Sequence, residues 1–305
     1  MPYHCEHAQK MNFGGSRKDG SKTIVKPSEA EGVSTCFFGQ SSFCNPTVAQ
    51  QASCVKVDKD LPLSVVCALG CGFQTGSGSV YNVVKPLERK CKHLAIFGIG
   101  GVGCAAIMAA NHLATSTSTS TSTSDSPFKI IAVDINDTRL ELAKELGATD
   151  VINPNKESTR EAIMRATDGE GVDAAIDCTG SMPVINEMLE LIGPGGMAVT
   201  VGGPPPGSKV SIDVFDMLIK CKTYRGCHQG NAYSKTVSLN SQEYEIMSLY
   251  PLMGCAQFIP WLANLYSKGQ FPLEKLQKRY QARDINQACQ DMIEGKVLKP
   301  ILVWD

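Results

Sequence analysis

Apolar and polar positions along this chain follow two rhythms. From Lys92 onward, short and nearly continuous apolar runs alternate with segments whose apolar residues recur every three or four positions. HLAIFG, KIIAVD, DVIN, VDAAIDCTG and MAVTVGG read as buried strands. GVGCAAIMAANHL, DTRLELAKELG, TREAIMRAT and PVINEMLELIG read as helices, the last ended by Gly193-Pro194-Gly195-Gly196. Repeated strand-helix units of this kind predict an α/β fold with a doubly wound parallel sheet. Residues 1–70 differ, with Gly, Ser and Pro punctuation and short alternating segments such as SCVKV, and predict part of a mostly β domain. The stretch from FIPWLANLYSKGQFPLEKL to KPILVWD predicts helices and a terminal strand that return to that domain. The expected divisions are residues 1–72, 73–230 and 231–305.

Two segments break the pattern. Residues 115–124, TSTSTSTSTS, have no capacity to bury a core and predict a disordered surface loop, with a modified regulatory tract as the alternative. Val237 to Gln257 joins neither neighbour by any turn logic and reads as a surface insertion or as an in-frame intron left in the gene model.

Composition narrows the function classes. With 305 residues, 43% hydrophobic and 19% charged, the chain has apolar side chains for one large or two modest cores. A formal net charge of -1 without charged blocks argues against nucleic acid or an anionic membrane as partner. No apolar run approaches the roughly 20 residues of a membrane helix, and the start lacks a signal-peptide profile, so a cytoplasmic location is expected. The 13 cysteines are scattered through apolar runs such as VVCAL and GVGCAA, which predicts mostly reduced, buried side chains.

The chemistry concentrates in GIGGVG. Gly98, Gly100 and Gly103 match G-x-G-x-x-G, with Gly101 and Val102 between them, after a strand and before a helix. In that context the first glycine permits a tight turn, the second lets backbone amides approach a pyrophosphate, and the third lets helix and strand pack closely. Asp134 closes the next strand. It comes 31 positions after Gly103, but 21 once the ten-residue Thr-Ser run is set aside, close to the usual ~20. A carboxylate there accepts from an adenosine ribose and repels a 2'-phosphate, favouring NAD over NADP. The alternative is an exposed strand-end aspartate.

FFGQSSF, ALGCGFQTGSGSV, the GIGGVG unit, AVDINDTRLELAKELGAT and GQFPLEKL, in this order, resemble the zinc-dependent medium-chain alcohol dehydrogenases, particularly their aryl (benzyl) alcohol branch. The resemblance implies a Rossmann nucleotide domain with a GroES-like catalytic domain, here partial, and NAD and zinc as cofactors. It places Cys71 as a thiolate ligand of the catalytic zinc, the alternative being a plain buried cysteine. Thr75 would lie beneath the nicotinamide, Arg139 near the adenosine, Val201 near the carboxamide and Lys299 near the pyrophosphate, while Phe37 and Phe38 would face the substrate. Ordinary packing or a solvated charge is the alternative for each. Only Val201 has support from the pattern itself, at a strand end before Gly202 and Gly203.

The family's other catalytic ligands lie upstream of the first residue of this sequence. The resemblance therefore implies an N-terminally incomplete chain, with Cys5 matching the last of four structural-zinc cysteines and with impaired turnover. His4, Cys5 and His7 are a further, adventitious chelating group. The function expected is NAD-dependent interconversion of a primary aromatic or allylic alcohol and its aldehyde, in a homodimer or homotetramer. A non-catalytic nucleotide-binding protein is the rival.

Overall fold

The computed structural model describes residues 8–17, 19–22, 24, 33–37, 43–49, 51–118, 127–232 and 255–304. His4, Cys5, His7, Phe38 and most of Val237 to Gln257 lie outside them. The chain divides into two compact units, Met1–Lys56 with Trp304–Asp305, and Val57–Val303. The expected divisions after residues 72 and 230 fall inside the larger unit.

In the smaller unit, the described residues form helix α1 (Ala8–Phe13), one antiparallel bridge between Ile24 and Val33, and a 3-10 turn at Gln51–Ser53. Phe13 and Phe37 meet edge to face at 5.7 Å.

The larger unit opens with α2 (Leu63–Val66), a 3-10 turn at Cys67–Gly70, and α3 (Gly72–Gly78), which runs on into a π-helical turn at Ser79–Val84. Six parallel strands follow: β1 (His93–Phe97), β2 (Lys129–Val133), β3 (Asp150–Ile152), β4 (Val172–Asp177), β5 (Ile192–Thr200) and β6 (Thr223–Gly226), in the order β3-β2-β1-β4-β5-β6. The order reverses between β1 and β4, which makes that crevice the topological switch point where α/β sheets bind ligands. The expected strands and the doubly wound sheet are present.

Helices α4 (Gly101–Ser118), α5 (Asp137–Glu145), α6 (Thr159–Ala166), α7 (Met182–Leu191) and α8 (Val214–Ile219) connect the strands. Their starts are written in the sequence. Asn136 and Ser158 accept from the amides of Arg139 and Glu161, so Ser158-x-x-Glu161 carries the residue types of a capping box, and Pro183 sits in the first turn of α7. Alternate residues of β1 face opposite layers. Ala95 and Phe97 join Ile163, Ile185, Met188 and Leu191 in one core cluster, while the side chain of Ile96 points to α4. Among the described residues no single helix is long and apolar enough to cross a membrane.

The last part of the unit comprises α9 (Cys255–Ser267), β7 (Gln277–Gln281), α10 (Ile285–Ile293) and β8 (Lys299–Val303), with β7 and β8 paired in parallel. Helix α9 packs on residues 67–70 and on α3. Trp261 meets Tyr81 at 4.8 Å and stacks on Phe258, and Tyr81 Oη lies 2.7 Å from His112 Nδ1.

Three expectations need correction. Gly193-Pro194-Gly195-Gly196 does not end a helix outside the sheet; it lies within β5, where the register with β4 jumps from Val172↔Ile192 to Ala174↔Met197. The extra residues form a bulge that glycine permits, with Gly195 at φ +68° and no room for a side chain at Gly193 beside Glu170 O. The Thr-Ser run is not loop from its first residue, because α4 continues through Ser118. Extending a formed helix costs little, and Thr115 Oγ1 donates to Asn111 O at 2.9 Å. The described cysteines are not mostly buried. Cys44, Cys54, Cys67, Cys71, Cys221 and Cys289 are exposed, against Cys36, Cys91, Cys104 and Cys227 buried. In VVCAL the short helical turns bury Val65, Val66, Ala68 and Leu69 and leave Cys67 on the outer side.

Candidate nucleotide-binding site

The site is assembled where β1 turns into α4. Gly98 has φ +86° and donates to Val133 O at 2.8 Å, tying the turn to the end of β2. A side chain at Gly98 would stand 2.5 Å from Thr179 Cγ2, and one at Gly103 would run into Gly98 O. Space opposite Gly100 is open, and Gly101 faces Phe73. Two of the glycines are therefore demanded by packing, while the middle one leaves a cradle that a larger side chain would fill. Val102 O fills the position a side chain at Gly76 would need, so the backbones of α3 and α4 touch.

Asp134 follows β2 and is not an exposed strand-end residue, being 7% exposed. Its Oδ2 accepts from Ile99 N at 2.6 Å and its Oδ1 from Asn136 N at 2.9 Å, linking the glycine turn to the start of α5. Arg139 Nη1 lies 3.8 Å from Asp134 Oδ2, and the buried Arg139 Nε has no hydrogen-bond partner. A methyl group at Gly295 would come within 3.7 Å of Arg139 Nη2, which brings the segment preceding Lys299 to this end of the site.

On the other side of the switch point, Asp177 is fully buried at the end of β4. Its Oδ1 accepts from Thr179 N at 2.8 Å and Thr179 Oγ1 at 2.6 Å, and burial pushes its carboxyl above the usual range. Its carbonyl accepts from the amides of Val201 and Gly202 at 2.9 and 3.0 Å, fixing Val201 at the end of β5. Sequence reasoning missed Asp177; the signal was the polar residue that closes the apolar run VDAAID before Cys178-Thr179-Gly180.

Thr75 lies on α3, its Oγ1 donating to Cys71 O at 2.8 Å. Cys71 precedes α3 and is exposed, so it is not a buried core cysteine. Among the described residues no three His, Cys, Asp or Glu side chains converge, and the described residues therefore do not form a zinc site. Lys299 begins β8 opposite Gln277, near enough to Cys67 to act electrostatically on its thiol. Phe37 belongs to the smaller unit and is 65% exposed. Contacts thus bring together Gly98 to Gly103, Asp134 and Arg139 directly, α3 with Thr75 through Val102, and Val201 through Asp177.

A glycine turn, an acidic residue closing the second strand and a reversed strand order form a dinucleotide cradle, and comparison with known proteins names its setting. Residues 101–243 match the family model described as zinc-binding dehydrogenase. Geraniol dehydrogenase of Castellaniella defragrans is 32% identical over 306 residues, covering 99% of this chain and 72% of that protein. This chain belongs to the zinc-binding alcohol dehydrogenase family. Alcohol dehydrogenase 2 of Oryza sativa subsp. japonica is 32% identical over 273 residues, 88% of this chain and 62% of the rice protein. The crystal structure of benzyl alcohol dehydrogenase from Acinetobacter calcoaceticus superposes with a TM-score of 0.80 at 33% identity, covering 100% of this chain and 72% of that one. In this alcohol dehydrogenase family the six-stranded parallel sheet is the Rossmann part.

Proposed function

We propose that the chain binds NAD(H) in preference to NADP(H) and interconverts a primary aromatic or allylic alcohol and its aldehyde. The observation behind this reading is the Asp134 carboxylate, held 2.6 Å from the amide of Ile99 inside the glycine turn, where it would accept from a ribose and repel a 2'-phosphate. The open space at Gly100, just before α4 begins at Gly101, would admit a pyrophosphate at a helix N-terminus. Arg139 and the segment before Lys299 would flank the adenosine half, and Val201 and Thr75 the other half. When bound, the nicotinamide supplies the hydride acceptor and donor. Zinc does not fit the described residues, among which Cys71 has no second or third ligand beside it.

The substrate class rests on two relatives named for geraniol and benzyl alcohol, both primary alcohols next to an unsaturated carbon. The test is NADH formation from either alcohol by the purified chain, with zinc content measured on the same sample. Binding of NADH without turnover at any zinc loading would favour a non-catalytic nucleotide-binding protein.

A second copy of the chain is the partner that α8 supports. Val214, Phe215, Leu218 and Ile219 are 74%, 71%, 70% and 64% exposed. Asp216 turns inward instead, to the buried Nζ of Lys222 at 2.5 Å. Among the described residues β6, which follows α8, has one neighbouring strand, so its other edge is open. The four side chains offer on the order of 300–400 Å² of apolar surface, about half of a standard ~800 Å² footprint per partner.

A further inference from the structure

The chain that leaves β6 bends in a way that its sequence resists. Gln229, Gly230 and Asn231 take φ values of +52°, +67° and +50°, three consecutive left-handed residues of which only one is glycine. Asparagine tolerates that region through local hydrogen bonding; glutamine has no such help. The conformation is imposed from outside. Gln74 Nε2 donates to Gln229 Oε1 at 2.8 Å and Asn82 Nδ2 donates to Gly230 O at 2.9 Å, while Asn231 N closes the corner locally by donating to His228 O at 2.9 Å. A methyl group at Gly230 would stand 2.5 Å from Gln74 O and 2.9 Å from Gly78 Cα, so the corner lies backbone against backbone on α3.

Gln74 is 3% exposed, and its Oε1, like Asn82 Oδ1, is buried without a donor. A pairing that served packing alone would be met more cheaply by glycine or asparagine at residue 229 and by an apolar residue at 74. Left-handed strain and orphaned buried acceptors kept together are a mark of pre-organisation.

Position gives the object of that pre-organisation. Cys227 N donates to Thr200 O at 2.9 Å, which keeps the chain at the carboxyl edge of the sheet beside Val201. In the order β3-β2-β1-β4-β5-β6 the glycine turn and Asp134 serve one mononucleotide half, and the ends of β4 to β6 serve the other. Thr75 neighbours Gln74 on α3, and α3 leans through Gly76 on the first turn of α4. One short helix thus spans from the phosphate turn to the corner.

We propose that Gln74 and Gln229 are a positioning pair that holds the strained corner Gln229–Asn231 in register for the nicotinamide half of the dinucleotide. The proposal rests on the nucleotide-binding reading above. Neither side chain is assigned contact with the reacting atoms.

The test titrates NADH and ADP-ribose, which lacks the nicotinamide, into the wild-type chain and into Gln74→Met, Gln229→Gly and the double variant, by calorimetry. Each single variant is expected to weaken NADH about tenfold and ADP-ribose less than about twofold, and the double variant to lose no more than either single, as coupled residues do. Gln229→Gly should melt no lower than wild type, because glycine takes the left-handed angle freely. Unchanged NADH affinity in both single variants, or equal losses for NADH and ADP-ribose, would overturn the pair while leaving nucleotide binding intact. A wild-type chain that binds neither ligand overturns both readings.

Discussion

Both oxygens of Asp134 are occupied by backbone amides before any ligand arrives, at 2.6 Å from Ile99 N and 2.9 Å from Asn136 N. On the NAD(H) reading proposed above, the residue serves stability as well as selectivity, and the two can be measured apart. Asp134→Gly should shrink the ratio of NADH to NADPH affinity by about tenfold, since acceptor and repulsion vanish together. The same change leaves the Ile99 amide unpaired and should cost about 1–3 kcal/mol in a denaturation experiment. Asp134→Asn, which keeps an acceptor oxygen, should recover part of the stability and little of the repulsion. Equal affinities in the wild type would remove the basis for NAD preference.

Asp291 on α10 accepts from Tyr280 Oη at 2.6 Å, Gln287 Nε2 at 2.8 Å and Lys278 Nζ at 3.2 Å, and these bonds hold its carboxyl down to about 2. Its folded value lies below its unfolded one, so its stabilising effect is complete above the ordinary aspartate range. It fades as pH falls from there towards about 2. Asp291→Asn should flatten that part of the acid unfolding curve, followed by the melting temperature at successive pH values.

Elements owe their legibility to how local their causes are. Strands β1, β2 and β4 were readable because strands buried on both faces need continuous apolar runs, and α5 and α6 because Asn136 and Ser158 announce their starts. The bulge in β5 was not, since Gly193-Pro194-Gly195-Gly196 becomes part of a strand only through pairing with β4, a partner some twenty residues earlier. The corner at Gln229 was hidden for the same reason: its left-handed angles are set by Gln74 and Asn82, about 150 residues away. At the site, the spacing to Asp134 became legible once the Thr-Ser run was discounted, while Asp177 acts through a carbonyl that no motif marks.

Helix α3 offers a prediction at this scale. Val102 O occupies the space a side chain at Gly76 would need, so Gly76→Ala must part α3 from α4. Overpacking of this kind costs about 1–3 kcal/mol. The expected result is a lower melting temperature and weaker NADH binding together, since α4 begins at the phosphate turn. Removing residues 119–124, beyond the end of α4, should change neither.

For the whole molecule, the proposed second copy rests on the surface α8 turns outward. Phe215→Asp should convert an associated species to a single chain in sedimentation velocity, with NADH affinity retained. A wild-type chain that sediments as a single copy at all concentrations would contradict the second-copy reading. If association occurs, heating curves should shift upward with protein concentration, because a partner that binds only the folded chain adds stability by mass action.

The way α8 is fastened adds a further consequence. Its inner side carries no buried residue and is tied down through Asp216, gripped at 2.5 Å by Lys222, which also donates to Leu189 O, while Lys220 pairs with the same carboxylate within the helix. The surface that would associate by exclusion of water is thus hung on charges, and the two respond to different properties of a dissolved salt. Sulfate strengthens apolar contact, whereas at matched ionic strength it screens charges no differently from chloride, and the buried Lys222 end of the pair is screened little by either. Sulfate should then favour assembly over chloride at the same ionic strength, the signature of association by water exclusion and not by charge pairing.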